Sequence, residues 1–175
     1  MLKTTLNLSI FLLLLFDIFL LLYFLYSVVV YFFIRVAYVA TPKKYFPEIF
    51  KLVEINSQTV IYDLGAGLGN FLFAAEKRGA GHLVGIEISP LHCWLGRLKA
   101  WLKKSKVKFI RQNFFATDLA SADIIYLFLT PKILPRLWFK IKKEAKPGVQ
   151  LIVLGEIKNQ RPWRSFHGGN IYQLT

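Results

Sequence analysis

The residues from Asp63 to Asn70 read Asp-Leu-Gly-Ala-Gly-Leu-Gly-Asn, three glycines at alternate positions behind an acidic side chain. Glycines at 65, 67 and 69 let a backbone turn sharply and approach a bound group with no Cβ in the way. The string follows a short β-branched run over 59–63 and opens a helical pattern. A glycine-rich string alone is a weak sign of a nucleotide site, and that setting is what gives it value. Glu87 closes the next expected strand, placed to accept hydrogen bonds from both hydroxyls of a ribose. Asn113 and Phe114 follow the third strand, where an amide suits the edge of an adenine and a ring its face. Core packing is the competing role for Phe114 in a chain this aromatic.

Three occupants fit such a loop: a dinucleotide, a sulfonium nucleoside, or none, the glycines then serving only a turn. A dinucleotide site favours Gly-x-Gly-x-x-Gly, but the last position here is Asn70. Asp63 would burden a pyrophosphate, whereas it suits the α-ammonium of a methionine moiety. The residues therefore favour S-adenosylmethionine. His82, His92 and His167 have no partner at ligand or triad spacing, so no metal site is expected. Cys93, the single cysteine, permits no internal disulfide, in keeping with a reducing compartment.

The elements that must position these groups alternate along the chain. The spacing of Phe46, Ile49, Phe50 and Val53 predicts a helix over 43–55, with Pro47 tolerable near its first turn. Strands are expected over 59–63, 82–86, 107–111, 123–129 and 149–154, and helices over 70–78, 90–103 and 134–145. Leu91, Trp94, Leu95, Leu98 and Trp101 share one face of the 90–103 helix, and 170–174 reads as a last, edge strand. Such alternation, with uninterrupted apolar strands, implies an α/β, Rossmann-like fold: a parallel sheet with helices on both faces. Ligands then bind beyond the carboxyl ends of the strands.

Ahead of this domain, residues 8–34 are almost wholly apolar and carry one charge, Asp17. That length can cross a hydrocarbon core of about 30 Å with some tilt. A cleaved signal peptide would be shorter and end in a small-residue site, and an interfacial helix would show a polar face. A transmembrane helix is the reading, against these and a buried core helix. Asp17 would have to be protonated or paired, and it hints at helix pairing without defining an oligomer. Lys3 stands alone on one side, while Arg35, Lys43, Lys44 and Lys51 follow on the other. The expected organisation is a single-pass anchor over 1–36, a connecting segment and helix over 37–58, and a cytoplasmic domain over 59–175.

The formal net charge of +13 gathers in two runs, 97–111 and 132–146. Anionic lipid beside an anchored domain accounts for it as well as a solvated surface does, and nucleic acid is the less expected partner.

The order of Thr41-Pro42, Asp63-x-Gly65-x-Gly67-x-Gly69, Gly85-Ile86-Glu87-Ile88-Ser89-Pro90, Gln112-Asn113-Phe114-Phe115 with Asp118-Leu119, Phe128-Leu129-Thr130-Pro131 and Arg161-Pro162-Trp163 resembles one family. It is similar to the small membrane-anchored protein-lysine methyltransferases that modify the ATP synthase c-subunit and the adenine nucleotide translocase, and to their prokaryotic relatives. The likeness runs from about Tyr38 to the C-terminus. It implies S-adenosylmethionine as cofactor, Thr41 among the residues that bind it, and a lysine of a membrane protein as acceptor. Ser89, Leu68, Asn70 and Asn113 depart from the family's usual residues. Leu129-Thr130-Pro131-Lys132 is not the Asn/Asp-Pro-Pro-aromatic string of adenine and glutamine amino-group methyltransferases.

A lysine acceptor, with a pKa of about 10.4, must lose its proton before it attacks. Thr130, Glu156 and Trp163 are the candidates to line its pocket, Glu156 as proton acceptor and Trp163 as a ring that holds a cation. A lipid or small-molecule methyltransferase at the membrane and a non-catalytic module that keeps the fold are the alternatives.

Overall fold

The computed structural model describes residues 2–34 and 42–174. They fall in two units, Met1–Ala37 and Tyr38–Thr175. The first unit is helix α1, Leu2–Ile34. At 1.5 Å per residue it is about 50 Å long. Its Asn7–Val29 stretch is long and apolar enough to cross a membrane.

The second unit begins with a 3-10 turn at Lys43–Tyr45 and helix α2, Phe46–Leu52, with Pro47 in the first turn where its missing N–H is no loss. The alternation then runs β1 (Val60–Leu64), α3 (Asn70–Glu76), β2 (His82–Glu87), α4 (Pro90–Leu102), β3 (Lys108–Arg111), β4 (Ile124–Leu127), α5 (Leu134–Glu144), β5 (Gln150–Leu154), β6 (Arg164–Phe166) and β7 (Gly169–Gln173). The seven strands form one sheet in the order β3-β2-β1-β4-β5-β7-β6. The first five are parallel, and β7 and β6 close the sheet antiparallel. This is the α/β architecture the alternation predicts. One detail differs: the last strand is internal, and the three-residue β6 holds the edge in its place.

The chain leaves β1 toward β2 and β3, then crosses back to lay β4 on the other side of β1. A crevice opens where strand order reverses, at the carboxyl ends of β1 and β4. Below it β4 is buried along its length, and Phe71 of α3 stacks on Tyr126 with ring centroids 3.8 Å apart. Phe46 and Phe50 of α2 pack on the same Phe71 ring, each at 5.6 Å. The domain's first helix is thereby joined to its central strand. Its last hairpin is tied to the same helix: Arg164 donates to the Leu52 carbonyl and the His167 amide donates to Glu48.

At the opposite end of the crevice strands, Asp123 accepts from the Val60 amide at 2.8 Å and pairs with Lys146 at 2.5 Å. Burial alone would raise its pKa, but the bonds from Lys146 and Val60 prevail and hold it below the ordinary value of 3.8. A depressed carboxylate contributes stability above its unfolded pKa and loses it as pH falls through the folded value. Asp123→Ala is therefore expected to cost about 1 kcal/mol at neutral pH. Thermal melts of both proteins in detergent should converge as the pH falls below 3.8.

Candidate active site

The turn after β1 is shaped by its backbone. Gly65, Gly67 and Gly69 all have positive φ, at 86°, 54° and 68°. The Gly65 and Ala66 amides donate to the Ile86 carbonyl, which holds the turn against the end of β2. A Cβ on Gly65 would lie 3.0 Å from Leu129, and one on Gly69 would lie 2.5 Å from the Phe109 ring. The Gly69 contact is with the core, so that glycine lets the turn pack closely on the sheet's helix layer, while Gly65 lets it approach Leu129 beyond β4.

Glu87 ends β2 and is buried. One carboxylate oxygen accepts from the Gly67 amide and the other from the Ser89 amide, both at 2.8 Å. This side chain clamps the glycine turn to the start of α4, whose N-cap is Ser89. An ionised carboxylate has about four acceptor sites. Two remain after these bonds. Asp63, one residue before the end of β1, is also buried. Burial, and then the charge of Glu87, push its pKa well above 3.8. A positive group brought beside it would relieve both penalties.

Lys99 completes the loop in a way its sequence context does not signal. Its ammonium donates to the Leu68 carbonyl at 3.0 Å and to Asn70 Oδ1 at 2.9 Å, and lies 4.5 Å from the centre of the Phe73 ring. Burial lowers its pKa, as do the charges of Lys103 and Lys43. Asn70, at the last position of the glycine string, is one of the two acceptors of this lysine.

The other expected residues are distributed unevenly. Asn113 is exposed, and its Oδ1 accepts from the Phe115 amide at the head of a 3-10 turn, Phe114–Ala116. Phe114 is buried, its ring 4.8 Å from that of Phe115, so packing accounts for it without a ligand. Thr130 and Glu156 follow the carboxyl ends of the neighbouring strands β4 and β5. Thr130 Oγ1 is buried with no hydrogen-bond partner among the described residues, and Glu156 is exposed. Trp163 lies by the sheet edge. It precedes the edge strand, its amide donates to Ile171, which pairs with mid-strand Ile152, and its ring is covered by Arg164 at 4.0 Å. Thr41 lies outside the described residues.

A doubly wound sheet of this order, with a glycine turn and a buried acid at adjacent strand ends, defines a class I, S-adenosylmethionine-dependent methyltransferase. The model of the ANTKMT methyltransferase domain matches residues 63–155, over half of the chain, and the chain belongs to that family. It is 28% identical over 120 residues to a protein-lysine N-methyltransferase of Saccharolobus islandicus (strain REY15A), covering 67% of this chain and 74% of the relative. It is 26% identical over 121 residues to the adenine nucleotide translocase lysine N-methyltransferase of Mus musculus, covering 68% of this chain and 52% of the mouse protein. Among solved structures it resembles an RNA methyltransferase from Salinibacter ruber in complex with S-adenosyl-L-homocysteine. The TM-score is 0.69 and the identity 27%, with 78% of this chain and 92% of that one covered.

The cofactor is S-adenosylmethionine, as the residues imply. The crevice suits it: a backbone cradle at Gly65, acceptor capacity on Glu87, and a buried carboxyl at Asp63 that a cation would ionise.

Two expectations follow. A group with a raised folded pKa carries stability below its unfolded value and loses it as pH rises through the folded one. Above pH 3.8 the ligand-free Asp63→Asn protein should therefore melt no lower than the wild type. Calorimetry should at the same time show S-adenosylmethionine affinity reduced about tenfold. Lys99→Met should weaken cofactor binding by about fivefold or more through a loosened loop. Lys99→Arg should recover most of it if donation to Leu68 and Asn70 is what matters.

Proposed function

We propose that this chain is a protein-lysine methyltransferase, anchored by α1 in a membrane with its domain on the cytoplasmic side, and that it modifies a lysine of a membrane protein. The observation that carries the reading is the match of the crevice-forming residues to a family whose Saccharolobus and mouse relatives are named for lysine methylation. The membrane setting draws on α1, and on the mouse relative, whose name makes a translocase its substrate.

When bound, S-adenosylmethionine supplies a methyl group already activated on a positive sulfur. The protein has then to bind, align and exclude water. In this reading Glu87 meets the ribose hydroxyls with the acceptor sites left by the two amides, and the Asp63 carboxylate faces the ammonium. Gly65, Gly67 and Gly69 admit the methionine moiety. Asn113 meets the adenine edge through its Nδ2, since its Oδ1 is engaged, and Phe114 walls the site. Thr130 orients the acceptor amine with its unpartnered hydroxyl, and Glu156 takes the proton that the amine must lose.

The test is transfer of labelled methyl from S-adenosylmethionine to membranes carrying the full chain. Label should enter protein and map to lysine, and Glu87→Ala should abolish it. Label that partitions entirely into organic solvent would make the substrate a lipid, and label in RNA would align the chain with the RNA methyltransferase of Salinibacter. Either result overturns the lysine reading. Cofactor binding without any transfer would leave a non-catalytic module.

A further inference from the structure

Helix α4 is inside out relative to its pattern. Trp94, Leu98 and Trp101 recur at helical spacing, the signature of a face that packs inward. Instead they are 58%, 36% and 74% exposed, and Leu102 beside them is 67% exposed. The helix packs on Cys93, Gly96 and Ala100, which are buried. Gly96 dictates this orientation: a Cβ there would fall 2.5 Å from the Phe109 ring, so only this face can approach the sheet so closely.

The outward stripe is bordered by Arg97, Lys103, Lys104 and Lys106, all exposed. No acidic residue occurs between 90 and 111. The carboxylate that does approach, Glu76, has its oxygens engaged by the Ser105 hydroxyl and the Lys106 amide. Tryptophan rings settle at the boundary between hydrocarbon and headgroup, and lysines beside them are drawn to anionic headgroups. A second copy docked stripe to stripe would oppose basic residues with basic residues. Stacked RNA bases would engage the tryptophans but leave Leu98 and Leu102 without an apolar partner.

We propose that this face of α4 docks the domain onto an anionic membrane surface, with Trp94 and Trp101 at headgroup depth and the flanking cations over lipid phosphates. The inference rests on the membrane setting proposed for α1, which keeps a bilayer within reach, and it adds a second, electrostatically controlled contact.

All four tryptophans, at 94, 101, 138 and 163, lie after α1, so their fluorescence reports on the domain alone. The full chain would be reconstituted in phosphatidylcholine vesicles with or without phosphatidylglycerol, each containing lipid brominated near the headgroup. W138F/W163F, which keeps the α4 pair, should be quenched at least about twice as strongly with phosphatidylglycerol as without it, and high salt should remove the difference. W94F/W101F should show no such dependence. Because both of its changes are on exposed side chains, its difference from the wild type gives the same answer if W138F/W163F does not fold. Quenching by aqueous acrylamide, equal in both vesicles and without bromolipid quenching, would overturn the proposal. Protection from acrylamide that depends on a cross-linkable dimer or on added single-stranded RNA would overturn it too. Methyl transfer measured on the same vesicles keeps the two readings separate: docking without transfer strikes only the proposed function, and transfer without docking only this one.

Discussion

A single buried carboxylate holds the crevice together. Glu87 brings a charge into the interior, and a charge there is tolerated only when its oxygens are satisfied by donors. The donors are two backbone amides from different loops, Gly67 and Ser89. Neither loop can shift without leaving part of that charge unpaired. Since Ser89 also caps α4, the clamp sets where that helix begins and, through it, where Lys99 stands further along the helix. Lys99 then reaches back to the carbonyl of Leu68. The glycine turn is thus gripped from both sides by side chains of opposite sign, while its own backbone remains open to the crevice.

The remainder of the domain supports that arrangement from beneath. Five parallel strands bring the loop ends to one side, and the aromatic stack of Phe46, Phe50, Phe71 and Tyr126 couples α2, α3 and the central strands. Tyr45 lies against Phe166 and His167 of the C-terminal hairpin, so the two ends of the domain are fastened to each other.

Much of this is legible in the order of residues alone. The apolar runs that form β1, β2, β4 and β5 are short, bounded by turns and nearly free of charge, and Glu87 and the three glycines are placed by local order. What is not legible depends on distance in space. Lys99 looks like any member of a basic run until the fold sets it beside Leu68, 31 residues away in sequence. β6 is three residues long, Arg164-Ser165-Phe166, too short to show alternation, so the strand beside it reads as the edge. The orientation of α4 is hidden because periodicity shows that an apolar stripe exists and says nothing of what it faces. A glycine opposite a phenylalanine decides that question. Trp163 reads in the sequence as a candidate for the acceptor's pocket beside Thr130 and Glu156, and only the strand pairing shows that it precedes the sheet edge and donates to Ile171.

That phenylalanine has a wider reach than one helix. The Phe109 ring fills the space in front of Gly69 of the glycine turn and Gly96 of α4, and shares the space in front of Gly85 of β2 with Ala66 and Leu72. Two elements on either side of β2 have ceded their side-chain volume to one ring. A methyl at Gly96 would require a smaller residue at 109, whereas Gly85 would still meet Ala66 and Gly69 would stay strained at its positive φ. Gly96 and Phe109 should therefore be sought in relatives as a correlated pair, with Gly69 and Gly85 held besides by backbone and by other neighbours.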